Sequence, residues 1–125
     1  MDVKIDTKEK FTVITVKEPE ITANMTAQLN EMLLSYLCRD IPHVILNLKY
    51  VNKIDLTAAG MIAGLHQQFY EQSASFIVCE LQKDIEKMLD DAGFLETMNI
   101  TPTESEAWDI VQMEEIEREL LNDED

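Results

Sequence analysis
Apolar positions recur along this chain with two periods, and the change from one period to the other marks out its elements. Near the start the period is two. Val3 and Ile5 alternate with Lys4 and Asp6, and the β-branched run Phe11-Thr12-Val13-Ile14-Thr15-Val16 follows. The connection Lys8-Glu9-Lys10 is short and polar, so the pattern predicts two strands joined as a hairpin. Pro19 ends strand character because it has no N–H to give to a ladder. From Asn24, which is placed to cap a helix, the period becomes helical. Met25, Leu29, Met32, Leu33, Tyr36 and Leu37 form one apolar face of a helix reaching about Cys38. Asp40-Ile41-Pro42-His43 closes it, since the residue before a proline is pushed towards an extended conformation.

The second half repeats the alternation of element types. Val44-Ile45-Leu46-Asn47-Leu48 reads as a central strand of a helix-covered sheet. A helix over residues 58–71 follows, with Met61 or Ile62, Leu65 and Phe69 facing inward. Ser75-Phe76-Ile77-Val78-Cys79 is the next strand. The return between these two strands has the length of a crossover, so they are expected to run parallel. Residues 81–89 form a short helix with Ile85, Met88 and Leu89 inward, and Gly93 stands where a left-handed turn would end it. Residues 97–100 read as an edge strand. Pro102 and the capping-box spacing from Thr103 to Glu106 announce a last helix. Its apolar seam is expected at Ile110, Met113, Ile116 and Leu120. The element order is therefore β-β-α-β-α-β-α-β-α, an α/β single domain with a mixed sheet of four to five strands and about four helices. The domain is expected over residues 1–121, with an acidic tail at 122–125.

Within this order, residues 44–64 carry the most specific local signal. A buried strand leads through a polar connection to Ile54-Asp55-Leu56-Thr57, and a small-residue run, Ala58-Ala59-Gly60, opens a helix directly after Asp55. Such a corner sets polar side chains beside unpaired backbone N–H groups. Ala59, Gly60, Ala63 and Gly64 give the helix an unusually small side. An interior glycine costs about 1 kcal/mol relative to alanine, so two of them point to something close by. Tight packing within the fold and a flat surface kept open for a partner both explain it.

Composition narrows the function classes. A formal charge of -15 argues against nucleic acid, whose binding draws on clustered Lys and Arg, and against direct contact with an anionic membrane. From Glu104 onward ten carboxylates accompany one basic residue, Arg118. A solvated face explains this run, and a landing surface for a basic partner is the alternative. No apolar run approaches a membrane span, and no signal peptide is read at the start, so a reduced cytoplasmic setting is expected. His43 and His66 have no metal-ligand spacing, and Cys38 and Cys79 have no CxxC companion. Trp108 is expected to cover the core edge; exposed beside Val111, it would instead serve as a partner anchor. No catalytic residue, cofactor or metal is expected.

Two stretches carry a family resemblance. Residues 44–64 are similar to a strand, aspartate and helix-start signature. Met88-Leu89-Asp90-Asp91-Ala92-Gly93-Phe94, continuing to Glu104-Ser105-Glu106-Ala107, is similar to a third helix, a last strand and an acidic final-helix entry. With the element order, these stretches resemble the STAS domain, the fold of bacterial anti-sigma factor antagonists and of the cytoplasmic domains of sulfate transporters.

In regulatory members of that family an aspartate opens the second helix, and the next residue is a serine or threonine phosphorylated by a partner kinase. Asp55 matches the aspartate, Leu56 stands at the phosphorylated position, and Thr57 matches a second hydroxyl position. Ala58 replaces a glycine, and Asn47 stands where an aspartate is common. Leu56 has no hydroxyl, so no phosphate can be placed there. Thr57 could take the phosphate, or form a cap or structural hydrogen bond. The resemblance implies a non-enzymatic module that binds an anti-sigma factor or serine kinase. The implied contact surface is Asp55, Leu56 and Thr57 with Ala59, Gly60, Ala63 and Gly64. A small subunit of a stress-signalling or lipid-transport assembly is one alternative reading, and a small enzyme or nucleotide-binding protein is another.

Overall fold
The structure is a computed structural model that describes residues 1–123. Five strands form the main sheet: β1 (Val3–Thr7), β2 (Thr12–Val16), β4 (Val44–Asn47), β6 (Phe76–Cys79) and β7 (Ile100–Thr101). They lie side by side in that order, β1 antiparallel to β2 and all other neighbours parallel. Two further strands of two residues each, β3 (Glu20–Ile21) and β5 (Lys53–Ile54), pair in parallel beside it. Neither is long enough to show a period, and the sequence pattern did not predict them.

Helices cover both faces. These are α1 (Thr26–Leu34), α2 (Leu56–Glu71), α3 (Lys83–Asp91) and α4 (Glu104–Asp123). Alternation along the strands separates two cores. Ile14, Val16, Val44, Leu46, Phe76 and Val78 turn to the larger one, with Leu29 and Leu33 of α1, Ile62, Leu65 and Phe69 of α2, and Ile85 and Leu89 of α3. Val13, Ile45, Ile77 and Cys79 turn the other way, onto Ala107 and Val111 of α4. The molecule therefore has three layers, with α4 alone on its own side of the sheet. The Phe11 and Trp108 rings stack at 4.6 Å at the edge of that smaller core, so Trp108 is a core-edge residue as expected.

Several predicted boundaries move. Asn24 does not cap the first helix. It lies inside a 3₁₀ turn, Ala23–Met25, that precedes α1, and the extended residue before the turn is Thr22. Residues Ser35–Cys38 return to 3₁₀ geometry. The edge strand falls at Ile100–Thr101, because residues Leu95–Thr97 close into another 3₁₀ turn. Gly93 takes φ +80° after α3. The Phe94 N–H bonds to the Leu89 carbonyl at 2.9 Å and the Gly93 N–H to that of Asp90 at 3.0 Å, a Schellman ending.

The largest correction concerns α4. Its start is as predicted, with the Glu106 N–H donating to Thr103 Oγ1 at 3.2 Å. Of the expected seam only Ile110 packs, half-buried, against the smaller core; Met113, Ile116 and Leu120 are exposed, and the helix buries Ala107 and Val111 instead. Further along, polar groups dock it. His43 Nε2 lies 3.0 Å from Glu115 Oε1, and Arg118 Nη2 donates to Ser75 Oγ at 2.8 Å. Of the tail expected at 122–125, Asn122 and Asp123 belong to α4, and the remainder lies outside the described residues.

Candidate functional site
The corner between β5 and α2 is built by backbone pairing. The Asp55 N–H donates to the Ile21 carbonyl at 3.0 Å, so Asp55 continues the β3–β5 pairing. Its own carbonyl then receives the Ala59 N–H at 2.9 Å, which starts α2. With φ -72° and ψ 151°, Asp55 has the extended geometry of a helix N-cap. Its carboxylate nevertheless does not cap α2. Asp55 Oδ2 accepts the Ala23 N–H at 2.9 Å, satisfying the first donor of the 3₁₀ turn that leads into α1. One side chain thus ties together the starts of two helices. The first turn of α2 has no side-chain cap, so the cap hydrogen bond considered for Thr57 is not formed.

Leu56 is the first residue of α2, and its side chain is 62% exposed. Thr57 is exposed beside it. The four small residues divide. Ala59 is fully buried in the fold, and Ala63 is buried but for 5% of its surface, which lines the groove beside α2. Ala59 therefore departs from the expectation that all four small residues share one exposed surface, because a helical period does not say which of two neighbouring small stripes faces the sheet. Gly60 is half-buried under Phe94, whose Cζ would sit 3.6 Å from an added Cβ. Gly64 is exposed, and an added Cβ would meet nothing within 4 Å. Beside these glycines runs an open groove of about 760 Å³, walled by Phe94, Thr97 and Met98 from the segment after α3. The structure thus places Asp55, Leu56 and Thr57 at the corner, with Gly60, Ala63 and Gly64 lining the groove alongside.

A second polar cluster lies at the carboxyl ends of the central strands, and the sequence pattern did not single it out. Asn47, 1% exposed, donates through Nδ2 to Glu80 Oε2 at 2.8 Å and to Glu104 Oε1 at 3.2 Å. Its Oδ1 accepts the Lys49 N–H at 3.0 Å. The amide thus separates two carboxylates that would otherwise repel, and holds the start of α4 to the sheet. The signal that could have found it is the asparagine itself, a buried strand residue needing partners for both ends of its amide.

Neither cysteine forms part of a site. Burial, reinforced by the Glu80 and Glu104 charges and partly offset by Lys49, pushes the Cys79 thiol up to about 12. It stays protonated and unreactive at neutral pH, and Cys38 is exposed at the end of the turn after α1. His43 is buried, with Nδ1 accepting the Ser75 N–H at 3.0 Å and Nε2 directed at Glu115, so both ring nitrogens have structural partners. Among the described residues, no helix is long and apolar enough to cross a membrane.

Comparison with known proteins agrees with this architecture. An anti-sigma factor antagonist from Mycobacterium paratuberculosis superposes with TM-score 0.76 at 15% identity, over 89% of this chain and 93% of that one. An anti-sigma factor antagonist (STAS) domain protein from Planctomyces limnophilus gives 0.73 at 17% identity, over 86% of this chain and 95% of that one. The phosphorylated form of the Bacillus cell fate determinant SpoIIAA gives 0.64 at 17% identity, over 88% of this chain and 99% of that one. At these identities the superpositions establish the fold. The STAS domain model matches residues 2–107, most of the chain, and the chain belongs to the STAS domain family.

Proposed function
We propose that this protein is a non-enzymatic regulatory module. It binds an anti-sigma factor or a serine-kinase-like partner through Asp55, Leu56, Thr57 and the exposed glycine side of α2. The observation that carries this reading is Leu56, an apolar side chain 62% exposed at the first position of a helix whose start is fixed on both sides. Such a leucine gives nothing to its own core. In a rigid setting it offers contact area without the entropy cost of ordering a loop. A leucine cannot carry phosphate, so binding at this position is constitutive or set by how much partner is present.

Gly64 supports the same surface. No internal neighbour requires a glycine there, and the helix would be more stable without it. A partner lying close against the backbone accounts for it.

The test is a calorimetric titration of the captured partner against the wild type and Leu56→Asp. The charge should weaken binding by more than about tenfold, roughly 1.4 kcal/mol, and leave thermal stability unchanged because the side chain is exposed. Equal affinity for the two proteins would remove Leu56 from the surface. One observation favours a second reading, in which Thr57 carries a switch: its hydroxyl is exposed over a helix start with no side-chain cap. An added phosphate would be stabilised by those N–H groups, and phosphopeptide mapping after incubation with the captured kinase decides it.

A further inference from the structure
The face of α4 turned away from the sheet carries an apolar stripe that the fold does not use. Met113, Ile116 and Leu120 follow at alternating spacings of three and four residues and so line one side of the helix. They are 56%, 56% and 61% exposed. A single exposed leucine is ordinary, but three in helical register on one face mark an interaction site.

The helix is held in this orientation. Ala107 and Val111, both 0% exposed, pack its first half against the sheet, and the Phe11–Trp108 stack closes that edge. Its second half turns charged groups inward. Glu115 meets His43, Arg118 meets Ser75, and Glu114 accepts from Asn99 Nδ2 at 3.4 Å. Rotating α4 to bury the stripe would strand those groups and expose Ala107 and Val111. The stripe therefore faces solvent at the expense of an apolar seam, and these residues lie beyond position 107, where the family match ends.

Charge says what can cover it. At helical spacing Glu106, Asp109 and Glu117 share the face, with Glu119 along its edge. Arg118, the one basic residue of this helix, points inward and pairs with Glu114 at 3.8 Å. Lys10 borders Ile116 and Glu119 at that edge, one cation against four carboxylates, so a second copy of the chain would still set mostly like charges against each other. We propose that the outer face of α4 docks a basic amphipathic helix of a partner protein, whose apolar side covers Met113, Ile116 and Leu120 and whose Lys or Arg residues meet the flanking carboxylates. This surface lies on the opposite side of the sheet from α2 and does not rest on the corner reading.

The test titrates the full chain, followed by amide NMR shifts and calorimetry, with a synthetic Leu/Lys peptide whose leucines have heptad spacing. A peptide of the same composition with its leucines scrambled is the control. Saturable binding is expected, with shifts centred on Met113, Ile116 and Leu120 and affinity at least about tenfold above the scrambled peptide. The double variant Ile116→Gln/Leu120→Gln should lose that margin with its melting temperature unchanged, and Leu56→Asp should bind the peptide as the wild type does. Equal binding of the two peptides would reduce the surface to bulk charge and overturn the proposal. So would unchanged binding by the double variant, or lost binding by Leu56→Asp. Sedimentation equilibrium is expected to show a monomer; a dimer dissociated by the double variant would assign the stripe to a second copy and also overturn the proposal.

Discussion
At position 47 an amide stands between two carboxylates, and its chemistry is specific. Asn47 donates to Glu80 and Glu104 and is almost wholly buried, so Asn47→Asp would replace the shared donor by a third negative charge. A loss of about 2 to 4 kcal/mol at neutral pH follows, from two lost hydrogen bonds and uncompensated buried charge. The introduced aspartate would have its pKa raised by burial and by both glutamates. The folded state would then bind more protons than the unfolded state, and stability would fall as pH rises. Denaturant unfolding of both proteins across the carboxylate range should show the deficit widest at neutral pH and narrowing on acidification. A deficit independent of pH would mean that the cluster is not electrostatic. Asp55 shows the same economy: its carboxylate reaches the turn before α1 and leaves its own helix uncapped. The sequence shows both residues but not their partners, because those of Asn47 lie 33 and 57 residues away and that of Asp55 lies 32 away.

Among the elements, α2 and α4 present opposite cases of what periodicity can reveal. In α2 the large residues Ile62, Leu65 and Phe69 mark the buried face correctly, and the start after Asp55 was legible from the corner signature. The small residues were not, since alanine and glycine say little about which side meets the sheet. Gly64 gives the direct check. Gly64→Ala fills open space in a helix interior, so the melting temperature should rise, by the equivalent of about 1 kcal/mol. Affinity for the corner's partner should fall, because a methyl group is added where a close approach is proposed. A stabilised variant with undiminished affinity would leave Gly64 without a functional role. In α4 the apolar period beyond Ile110 is real but points outward. An apolar stripe ordinarily marks the core side of a helix, but here the inner side is met by long-range polar contacts such as His43 with Glu115, separated by 72 residues.

For the whole molecule, one sheet with helices on both sides separates two surfaces. The corner and the glycines of α2 belong to the α1–α3 layer, and the acidic, apolar-striped face of α4 forms the other side. The order of the long strands and helices was readable because each is long enough to show its period, whereas β3 and β5 at two residues each were not. A charge of -15 shared over such a small body favours basic partners and opposes self-association. On the proposed function, this chain acts by binding a regulatory protein at Leu56. The most direct test is affinity capture from the native cell with wild-type and Leu56→Asp baits side by side, read by quantitative mass spectrometry with intact-mass analysis of the bait. The wild type should enrich an anti-sigma factor or a kinase-like protein, Leu56→Asp should lose it, and the wild-type bait should carry no phosphate. Identical capture by both baits, or capture of transporter subunits alone, would contradict it.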